Sequence, residues 1–422
     1  MTRSINDKFD KIYNSKKINE YCATNAGVLP KDWQSKKISE IADQLIETAG
    51  ESVYETVSIS AGIGFVNQAK KFGKELSGKQ YQKYIVLHKG DFSYNKGNSN
   101  LYPQGCIYRL NDRETAAVPN VFESFRIKDG NTDYYEQLFA SGFLNRQLYS
   151  RINRGVRDDG LLNLKGSDFY SCEVPVPSIL EQQKIAQIFL RCDKMIKLKE
   201  ELIEEENKLK KWLMDQLLVP NGCIQLVQYN ESWEKKKISE IAKVFSGGTP
   251  KSSEKQYYSD KEIPFIRSGE IGQEFTELFI SKLGLSESSA KMVEVGDLLY
   301  ALYGANSGEC AISKINGAIN QAILCIRSDQ INIKFLFYIL SWQKKMTLYL
   351  NIYKAVRVIF LLKLSKKVEV QFPPEELQMK IVDILSTEDR KISLLMQEVE
   401  NWKQKKKALM QMLLTGIVRV NV

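Results

Sequence analysis

Two glycine-rich segments are the first candidates for chemistry in this 422-residue sequence, because glycine-rich loops can cradle phosphate groups. Ser60–Phe65 reads Ser-Ala-Gly-Ile-Gly-Phe and lacks both the third glycine and the helix that a dinucleotide loop requires. Ser246–Pro250 reads Ser-Gly-Gly-Thr-Pro and lacks the Gly-Lys-Ser/Thr ending with which a P-loop holds phosphate and magnesium. We therefore predict that the first segment is a strand followed by a turn, and that the chain has no cofactor site.

Residue patterns for catalysis or metal binding are also missing. The single Pro-Pro pair, Pro373-Pro374, stands between Phe372 and Glu375, whereas amino-methyltransferases grip a flipped base with an Asn/Asp-Pro-Pro-aromatic loop. His88 is the only histidine, and the seven cysteines include no Cys-x-x-Cys pair. We predict a helix start at the prolines, a structural role for His88, and no catalytic or metal-binding residue.

The polar chemistry that remains suits a protein that reads DNA. Lys and Arg total 60 against 51 Asp and Glu, and the resulting net charge of +9 favours a polyanionic partner. Loops rich in Asn, Ser, Gly and aromatic residues can place hydrogen-bonding groups against base edges and phosphates, although such residues could equally form turns or lie in solvent. We predict that the DNA-facing residues are Lys96, Asn98, Asn100, Ser246, Thr249, Lys251, Arg267, Tyr303, Asn306 and Gln321.

The sequence repeats itself with a period of about 200 residues, which is far longer than a solenoid repeat and indicates a duplicated domain. Residues 33–42 match residues 233–242 at eight of ten positions, which is too close for a shared amphipathic pattern alone. Further counterparts, given in pairs, are Asp91 with Asp297, Gln182 with Gln378, Leu213 with Leu409 and Leu217 with Leu413.

Each copy is predicted to contain a globular part and a long helix. The globular parts alternate β-rich runs, such as residues 84–87 and 298–300, with Gly, Asn and Ser turns, and helical pieces occur at 134–148 and 334–350. The expected fold is α+β, with two homologous globular domains separated by a pair of long helices. The predicted boundaries are a lead segment at 1–24, domains at 25–175 and 225–372, a central helix within 176–220 and a C-terminal helix within 373–418.

The two long helices carry apolar residues at a three-four spacing, which is typical of a coiled-coil seam. Such a stripe could pack against its own domain, but two homologous helices in one chain can also pair antiparallel and create a pseudo-twofold axis. Glu206 and Lys210 interrupt the first stripe, so its packing should be shorter or wetter there. The predicted seam residues are Ile185, Ile188, Met195, Ile392, Leu395, Val399, Trp402, Leu409 and Leu413.

Several motifs in both halves resemble landmarks of one known family, the specificity subunits of type I restriction-modification systems. The junction Pro175–Ile185, where a Pro-containing strand end is followed by Glu-Gln-x-x-Ile, looks like the strand-to-helix junction of that family. Similar segments occur in both globular parts, where they resemble two varieties of the family's target recognition domain. The matching segments are Ser60–Gly64, Tyr84, Lys89–Asn95 and Asn100 in the first half, and Phe245–Pro250, Ile263–Gly269, Leu302–Gly304 and Asn320–Ala322 in the second.

The resemblance implies a non-catalytic subunit that reads a bipartite double-stranded DNA site, one half-site per recognition domain. It implies as partners two methyltransferase subunits, which would bind S-adenosylmethionine, and ATP-dependent restriction and translocase subunits. We expect a cytoplasmic protein, because no signal region and no stretch of roughly 18 apolar residues is present. Two alternatives remain open: a stand-alone sequence-specific DNA-binding regulator, and an enzyme with its own methyl-transfer or cleavage activity.

Overall fold

The chain folds into two compact units in a computed structural model. Unit 1 comprises Met1–Lys199 with Glu398–Val422, and unit 2 comprises Glu200–Gln397. The structure describes residues 20–72, 78–97, 101–152, 162–220, 222, 233–258, 262–302, 304–349 and 369–422.

Unit 1 is built from short strands and helices, as the alternation of β-rich runs and turn residues predicts. Its strands are β1 (Tyr21–Thr24), β2 (Gly27–Pro30), β3 (Gln34–Lys37), β4 (Ala42–Gln44), β5 (Val57–Ser60), β6 (Gly64–Asn67), β7 (Ile85–His88), β8 (Phe92–Asn95), β9 (Cys106–Arg109), β10 (Thr115–Val118), β11 (Glu123–Ile127) and β12 (Glu173–Val176). Its helices are α1 (Ile38–Ile41), α2 (Gln68–Phe72), α3 (Thr132–Ala140), α4 (Asn145–Arg151) and α5 (Gly166–Tyr170). The helix predicted at 134–148 is divided between α3 and α4, because Gly142 between them has a φ of 75° that ends the first helix.

Unit 2 repeats this pattern, and two long helices belong partly to each unit. The strands of unit 2 are β13 (Glu234–Lys237), β14 (Lys243–Ser246), β15 (Ile263–Ile266), β16 (Phe279–Ile280), β17 (Lys291–Val293), β18 (Leu298–Ala301), β19 (Cys310–Ile312), β20 (Gly317–Ile319), β21 (Ile323–Arg327) and β22 (Glu369–Phe372). The remaining helices are α6 (Ile179–Leu217), α7 (Ile238–Ile241), α8 (Lys282–Ser286), α9 (Ile333–Tyr349) and α10 (Glu375–Leu413). As predicted, Pro373-Pro374 joins a strand end to a helix start.

The sheets of the two units have the same topology. Unit 1 contains a four-stranded sheet in the order β4-β11-β8-β9, and unit 2 contains β14-β21-β18-β19. The pair β3–β12 corresponds to β13–β22, and the second sheet of unit 2, β16-β15-β20-β17, corresponds to the pairs β5–β6 and β7–β10 of unit 1. In unit 1 those two pairs meet at one parallel bridge, Thr56 with Ala117. The shared topology confirms the predicted duplication of an α+β domain.

Each unit has its own hydrophobic core, which is why each can hold its loops independently. Phe92 and Phe125 stack at a ring distance of 5.4 Å in unit 1, beside the buried Phe169. In unit 2 the buried Phe335 and Leu385 belong to the central cluster. Burying one such side chain contributes about 1.5–3 kcal/mol, so each core can offset much of the cost of ordering its own domain.

An ion pair that occurs in both units explains why the Gly-Asp dipeptide is repeated. The Arg126 guanidinium donates to Asp91 in unit 1 at 2.6 Å, and Arg327 donates to Asp297 in unit 2 at 2.7 Å. Each aspartate follows a glycine with φ near 98°, a conformation that other residues rarely adopt. Burial raises the pKa of Asp297, but the guanidinium of Arg327 and the Glu294 N–H more than offset this and lower the pKa below its usual range. Asp297 is therefore charged at neutral pH.

Halves of α6 and α10 pack together within each unit. In unit 1, Lys406 of α10 donates to Asp193 of α6 at 2.6 Å, and Lys199 pairs with Glu398. In unit 2, Lys210 of α6 pairs with Asp389 of α10. Because residue numbers rise along one helix as they fall along the other, the pairing is antiparallel in both units, which confirms the predicted helix pair.

The helix pair is fastened to each globular domain by an equivalent aspartate. Gln137 of α3 donates to Asp193 at 3.1 Å in unit 1, and the Tyr338 hydroxyl of α9 donates to Asp389 at 2.7 Å in unit 2. Each aspartate therefore accepts one bond from the opposite long helix and one from its own globular domain.

The burial of the seam residues follows the antiparallel packing with one deviation. Ile185, Ile392, Val399 and Leu413 are buried, and Ile188, Leu395, Trp402 and Leu409 are half-buried. Met195 is 38% exposed, so it lies at the edge of the seam, while Ile196 beside it is half-buried. Glu206 and Lys210, predicted to interrupt the seam, lie in ion pairs across it with Lys391 and Asp389. Among the residues that the structure describes, no helix is both long and apolar enough to cross a membrane.

Candidate DNA interface

The glycine-rich segment of unit 1 is a strand and a turn, as predicted. Strands β5 and β6 form an antiparallel hairpin in which Ser60 pairs with Gly64. Gly62 has a φ of 82°, and its N–H donates to the Tyr108 hydroxyl at 3.0 Å. This hydrogen bond ties the turn to β9. The side chain of Ile63 at the tip is 74% exposed, so the hairpin presents an apolar group to its surroundings.

The equivalent hairpin of unit 2 has a longer tip. Strands β15 and β16 are joined by residues 267–278, and Phe275 in this tip is 69% exposed. Asn306, in the loop between β18 and β19, lies beside the tip, since a Cβ atom at Gly269 would be 3.3 Å from its Nδ2. In unit 1 the loop between β8 and β9 approaches its hairpin in the same way through Leu101, 3.7 Å from a Cβ at Gly62. The same two loops therefore meet in both units.

The parallel strands β15 and β20 bring further predicted residues to this end of unit 2. Ile266 pairs with Ile319, so the segments that follow, which hold Arg267 and Gln321, leave the sheet at one edge. The loop after β14 joins them, because the Thr249 hydroxyl donates to the side-chain Oε1 of Gln321 at 2.6 Å. A Cβ at Gly247 would lie 1.8 Å from the Ile319 carbonyl oxygen, so only glycine permits this approach.

These contacts define one surface, which we call the loop end of unit 2 and which comprises Thr249, Arg267, Phe275, Asn306 and Gln321. Hydroxyl, guanidinium, phenyl and carboxamide groups lie side by side on it. Such groups can form hydrogen bonds or apolar contacts with base edges in the major groove. Sequence reasoning identified these residues except Phe275. The sequence signal for Phe275 is an aromatic residue within a polar turn. Ile63 in unit 1 has a similar signal, an apolar residue between two glycines.

Arg267 is held in place by carboxylates of its own hairpin. Its Nε donates to Glu270 at 3.1 Å, and its Nη2 donates to Glu277 at 2.5 Å. Burial raises the pKa of Glu270, but the Arg267 guanidinium and two backbone N–H groups outweigh this and lower it. These carboxylates thus hold the Arg267 side chain in place and balance its positive charge. Its guanidinium could contact a guanine or a phosphate only by giving up its hydrogen bond to the exposed Glu277.

The structure describes three further predicted residues. Ser246 is half-buried in β14, and Lys251 is exposed in the loop that follows. Lys96 in unit 1 pairs with Glu123 at 2.9 Å and its side chain is only 16% exposed, so this ion pair shields it. Asn98, Asn100 and Tyr303 lie outside the residues that the structure describes.

His88, which was considered for catalysis or metal binding, has a structural position at the end of a strand. His88 ends β7, its N–H donates to Asp91 at 2.7 Å, and its ring lies 3.7 Å from Glu47. In the described part of the chain, no three His, Cys, Asp or Glu side chains are grouped so that they could hold a metal ion.

Comparisons with known proteins match this duplicated architecture. A family model described as the type I restriction modification DNA specificity domain matches residues 30–207 and again residues 230–401. The type I restriction enzyme MjaIX specificity subunit of Methanocaldococcus jannaschii is 24% identical over 436 residues, which cover 95% of this chain and 97% of that protein. The MjaVIII specificity subunit of the same organism is 26% identical over 322 residues, covering 70% of this chain and 72% of that protein.

Solved structures show the same fold at low sequence identity. The type I restriction-modification system S subunit from M. genitalium has a TM-score of 0.54 and 16% identity, with coverage of 92% of this chain and 96% of that chain. A chain from the structure "Structural basis underlying complex assembly and conformational transition of the type I R-M system" has a TM-score of 0.60 and 16% identity, with coverage of 92% and 99%. Because the family model matches both repeats and most of the sequence, the chain belongs to the type I restriction-modification DNA specificity family and carries the domain of that family twice.

Proposed function

We propose that this chain reads a bipartite double-stranded DNA site as the specificity subunit of a type I restriction-modification complex. Unit 1 would contact one half-site and unit 2 the other. The observation that carries this proposal is the match of the DNA specificity domain to each of the two repeats. The loop end of unit 2 supports it, because the groups gathered there suit base edges. Ile63 and Phe275 would contact apolar features such as the methyl group of thymine.

We further propose that the chain has no catalytic activity of its own and acts in the cytoplasm with enzymatic partners. Two methyltransferase subunits would supply S-adenosylmethionine, and ATP-dependent restriction and translocase subunits would join for cleavage. Grouped apolar side chains on the long helices support a protein partner there, since a solvated helix seldom exposes so many. They include Leu190 and Leu198 in unit 1, and Leu202, Leu209, Trp212, Leu394 and Met396 in unit 2.

Methyl transfer measured with a labelled donor tests this assignment against both alternatives. We expect no transfer to DNA by the purified chain alone or by the methyltransferase subunit alone, and transfer to a bipartite site when the two are combined. Transfer by the chain alone would identify an enzyme instead. Tight binding of the chain alone to one defined site, with no recruitment of a methyltransferase, would identify a stand-alone regulator.

One substitution at the loop end and one at Lys251, in the loop after β14, should separate base reading from phosphate contact. Gln321→Ala should cost roughly 1–3 kcal/mol and relax specificity at one base pair, because a base-edge contact is lost. Lys251→Ala should weaken binding to all sequences alike and reduce the slope of log affinity against log salt by about one. Binding by the assembled complex to a library of site variants at several salt concentrations measures both effects.

The matched control is Lys380→Ala, which removes a lysine of α10 that pairs with Glu376 of its own helix. It should leave both the specificity and the salt slope unchanged. Unchanged binding by both the Gln321 and the Lys251 variant would show that the DNA-facing surface lies elsewhere on unit 2.

A further inference from the structure

The seam of the helix pair contains an ionic layer in unit 2, in which the carboxylates are largely buried and the lysine is half exposed. Glu206 of α6 is 8% exposed, and the Lys391 ammonium of α10 donates to it at 2.6 Å. Glu388, one turn before Lys391, lies 3.5 Å from the same ammonium. Lys391 holds the pKa of Glu206 below its usual range, whereas burial and the neighbouring Glu206 raise the pKa of Glu388. Glu206 is therefore the anion of this carboxyl pair. We call Glu206, Glu388 and Lys391 the ionic layer.

The equivalent positions of unit 1 are apolar. The repeat places Asp193 in register with Asp389 and Lys210 with Lys406, a step of 196 residues, and both aspartate–lysine ion pairs are present. By the same step of 196 residues, each member of the ionic layer corresponds to an apolar residue in unit 1. We call these residues the apolar layer. Its members are Trp402 for Glu206, Cys192 for Glu388 and Met195 for Lys391. Cys192 is buried and Trp402 is half-buried, so this layer also belongs to the seam.

Apart from Lys199 and Glu398, whose counterparts by the same step are Leu395 and Leu202, the rest of the seam does little to distinguish α6 from α10. If the α6 helices of two chains paired antiparallel in the same register, Asp193 of one would face Lys210 of the other, and the ion pair seen in each unit would be kept. Leu213 and Leu217 of α6 have identical counterparts in Leu409 and Leu413 of α10. Pairing between two copies of one helix would therefore satisfy these positions equally well.

The two layers are the positions at which pairing between two copies of one helix fails. Two α6 helices would bury Glu206 against Cys192 and Met195, neither of which can pair with its charge. Two α10 helices would place Glu388 and Lys391 against Trp402 and leave Lys391 with only Glu388 of its own helix as a partner. Burying a charge without a partner is strongly unfavourable, and a single polar seam residue is a well-attested means of specifying which helices pair.

We propose that the ionic layer and the apolar layer together specify the helix pair, so that α6 pairs with α10 and neither helix pairs with its own copy in a second chain. The layers disfavour dimers in which two identical helices pair. Such dimers are an alternative because the duplication makes the two helices similar. This inference concerns assembly and holds whether or not the chain reads DNA.

The test replaces the ionic layer of unit 2 with the apolar layer of unit 1, in the full-length chain. Glu206→Trp, Glu388→Cys and Lys391→Met copy the apolar layer into unit 2. Pairing between two α6 helices should then strengthen by roughly 100-fold or more, the factor expected when an unpaired buried charge is removed. Isotopically labelled and unlabelled chains are mixed and treated with a lysine cross-linker. Lys194 of one copy joined to Lys208 of the other reports antiparallel pairing of two α6 helices.

The wild-type chain should give no such cross-link, and the triple variant should give it together with dimers in sedimentation. The control exchanges the layers, adding Cys192→Glu, Met195→Lys and Trp402→Glu to the triple variant. This sextuple variant keeps the layers different and should behave as wild type. If the tryptophan does not fit, Glu206→Leu with Lys391→Met carries the same expectation. A folded variant with two alike layers that forms no more Lys194–Lys208 cross-links than wild type would overturn the proposal.

Discussion

Insertion of one heptad into both long helices should widen the gap between the two DNA half-sites by roughly one to three base pairs. A heptad adds about 10 Å to a helix at 1.5 Å per residue, and one base pair occupies ~3.4 Å of duplex. The range allows for helices that are not parallel to the DNA axis. The half-site bases themselves should not change, because the loops that we propose to contact them are untouched.

The structure shows where the insertion should be made. Lys199 and Glu398 form an ion pair, so they lie opposite each other on α6 and α10, and seven residues added beside both keep the seam in register. Leu213 and Leu409 are poorer sites, because they pack against the cores of unit 2 and unit 1, respectively. The physical basis of the expectation is that α6 and α10 are continuous helices of 39 residues each, about 58 Å long.

Methylation of a DNA library in which only the gap length varies measures the result. Original-gap sites should lose most methylation, since a displaced half-site loses several base contacts worth about 1–3 kcal/mol each. The control inserts the heptad into α6 alone, which puts the seam out of register and should destabilise the helix pair. A double-insertion protein that folds, recruits its methyltransferase and still prefers the original gap would refute the role of the helices as a ruler.

Local patterns predicted the fold well because its main signals are local. The stripe of apolar residues from Ile392 to Leu413 predicted α10, and the glycines of Ser60–Gly64 predicted a hairpin turn. The duplication extended these local signals to the whole chain. What the pattern around 134–148 did not show was the division at Gly142, because an isolated glycine is compatible with a continuous helix.

The candidate site was predicted less completely, because it depends on contacts between distant residues. Thr249 and Gln321 are 72 positions apart and meet because β14 and β21 pair antiparallel, with Ser246 opposite Leu324. The sequence predicts that Lys96 faces DNA. Its partner Glu123 is 27 positions away, so the ion pair between them cannot be recognised from sequence spacing. Ile63 and Phe275 were overlooked, since the composition of a turn does not show which apolar side chain is exposed.

Replacement of one recognition domain tests the central claim, that two autonomous domains each read half of one DNA site. We propose residues 25–175 as the first domain. They supply most of the core of unit 1, which Phe189 and Leu413 of the long helices complete, so the exchange uses the equivalent part of another specificity subunit with matching residues at these helix positions. The chimaera and the original chain are each expressed with the same methyltransferase, and methylated bases are mapped across the genome. The original chain should give a bipartite motif.

The map from the chimaera should show one half of the motif replaced and the other half unchanged, because unit 2 and its loop end are unaltered. Methylation at the old sites should fall by several orders of magnitude, since a whole half-site of base contacts is lost at about 1–3 kcal/mol per mismatched pair. A chimaera that folds and methylates DNA but changes both halves of the motif, or neither, would contradict the account.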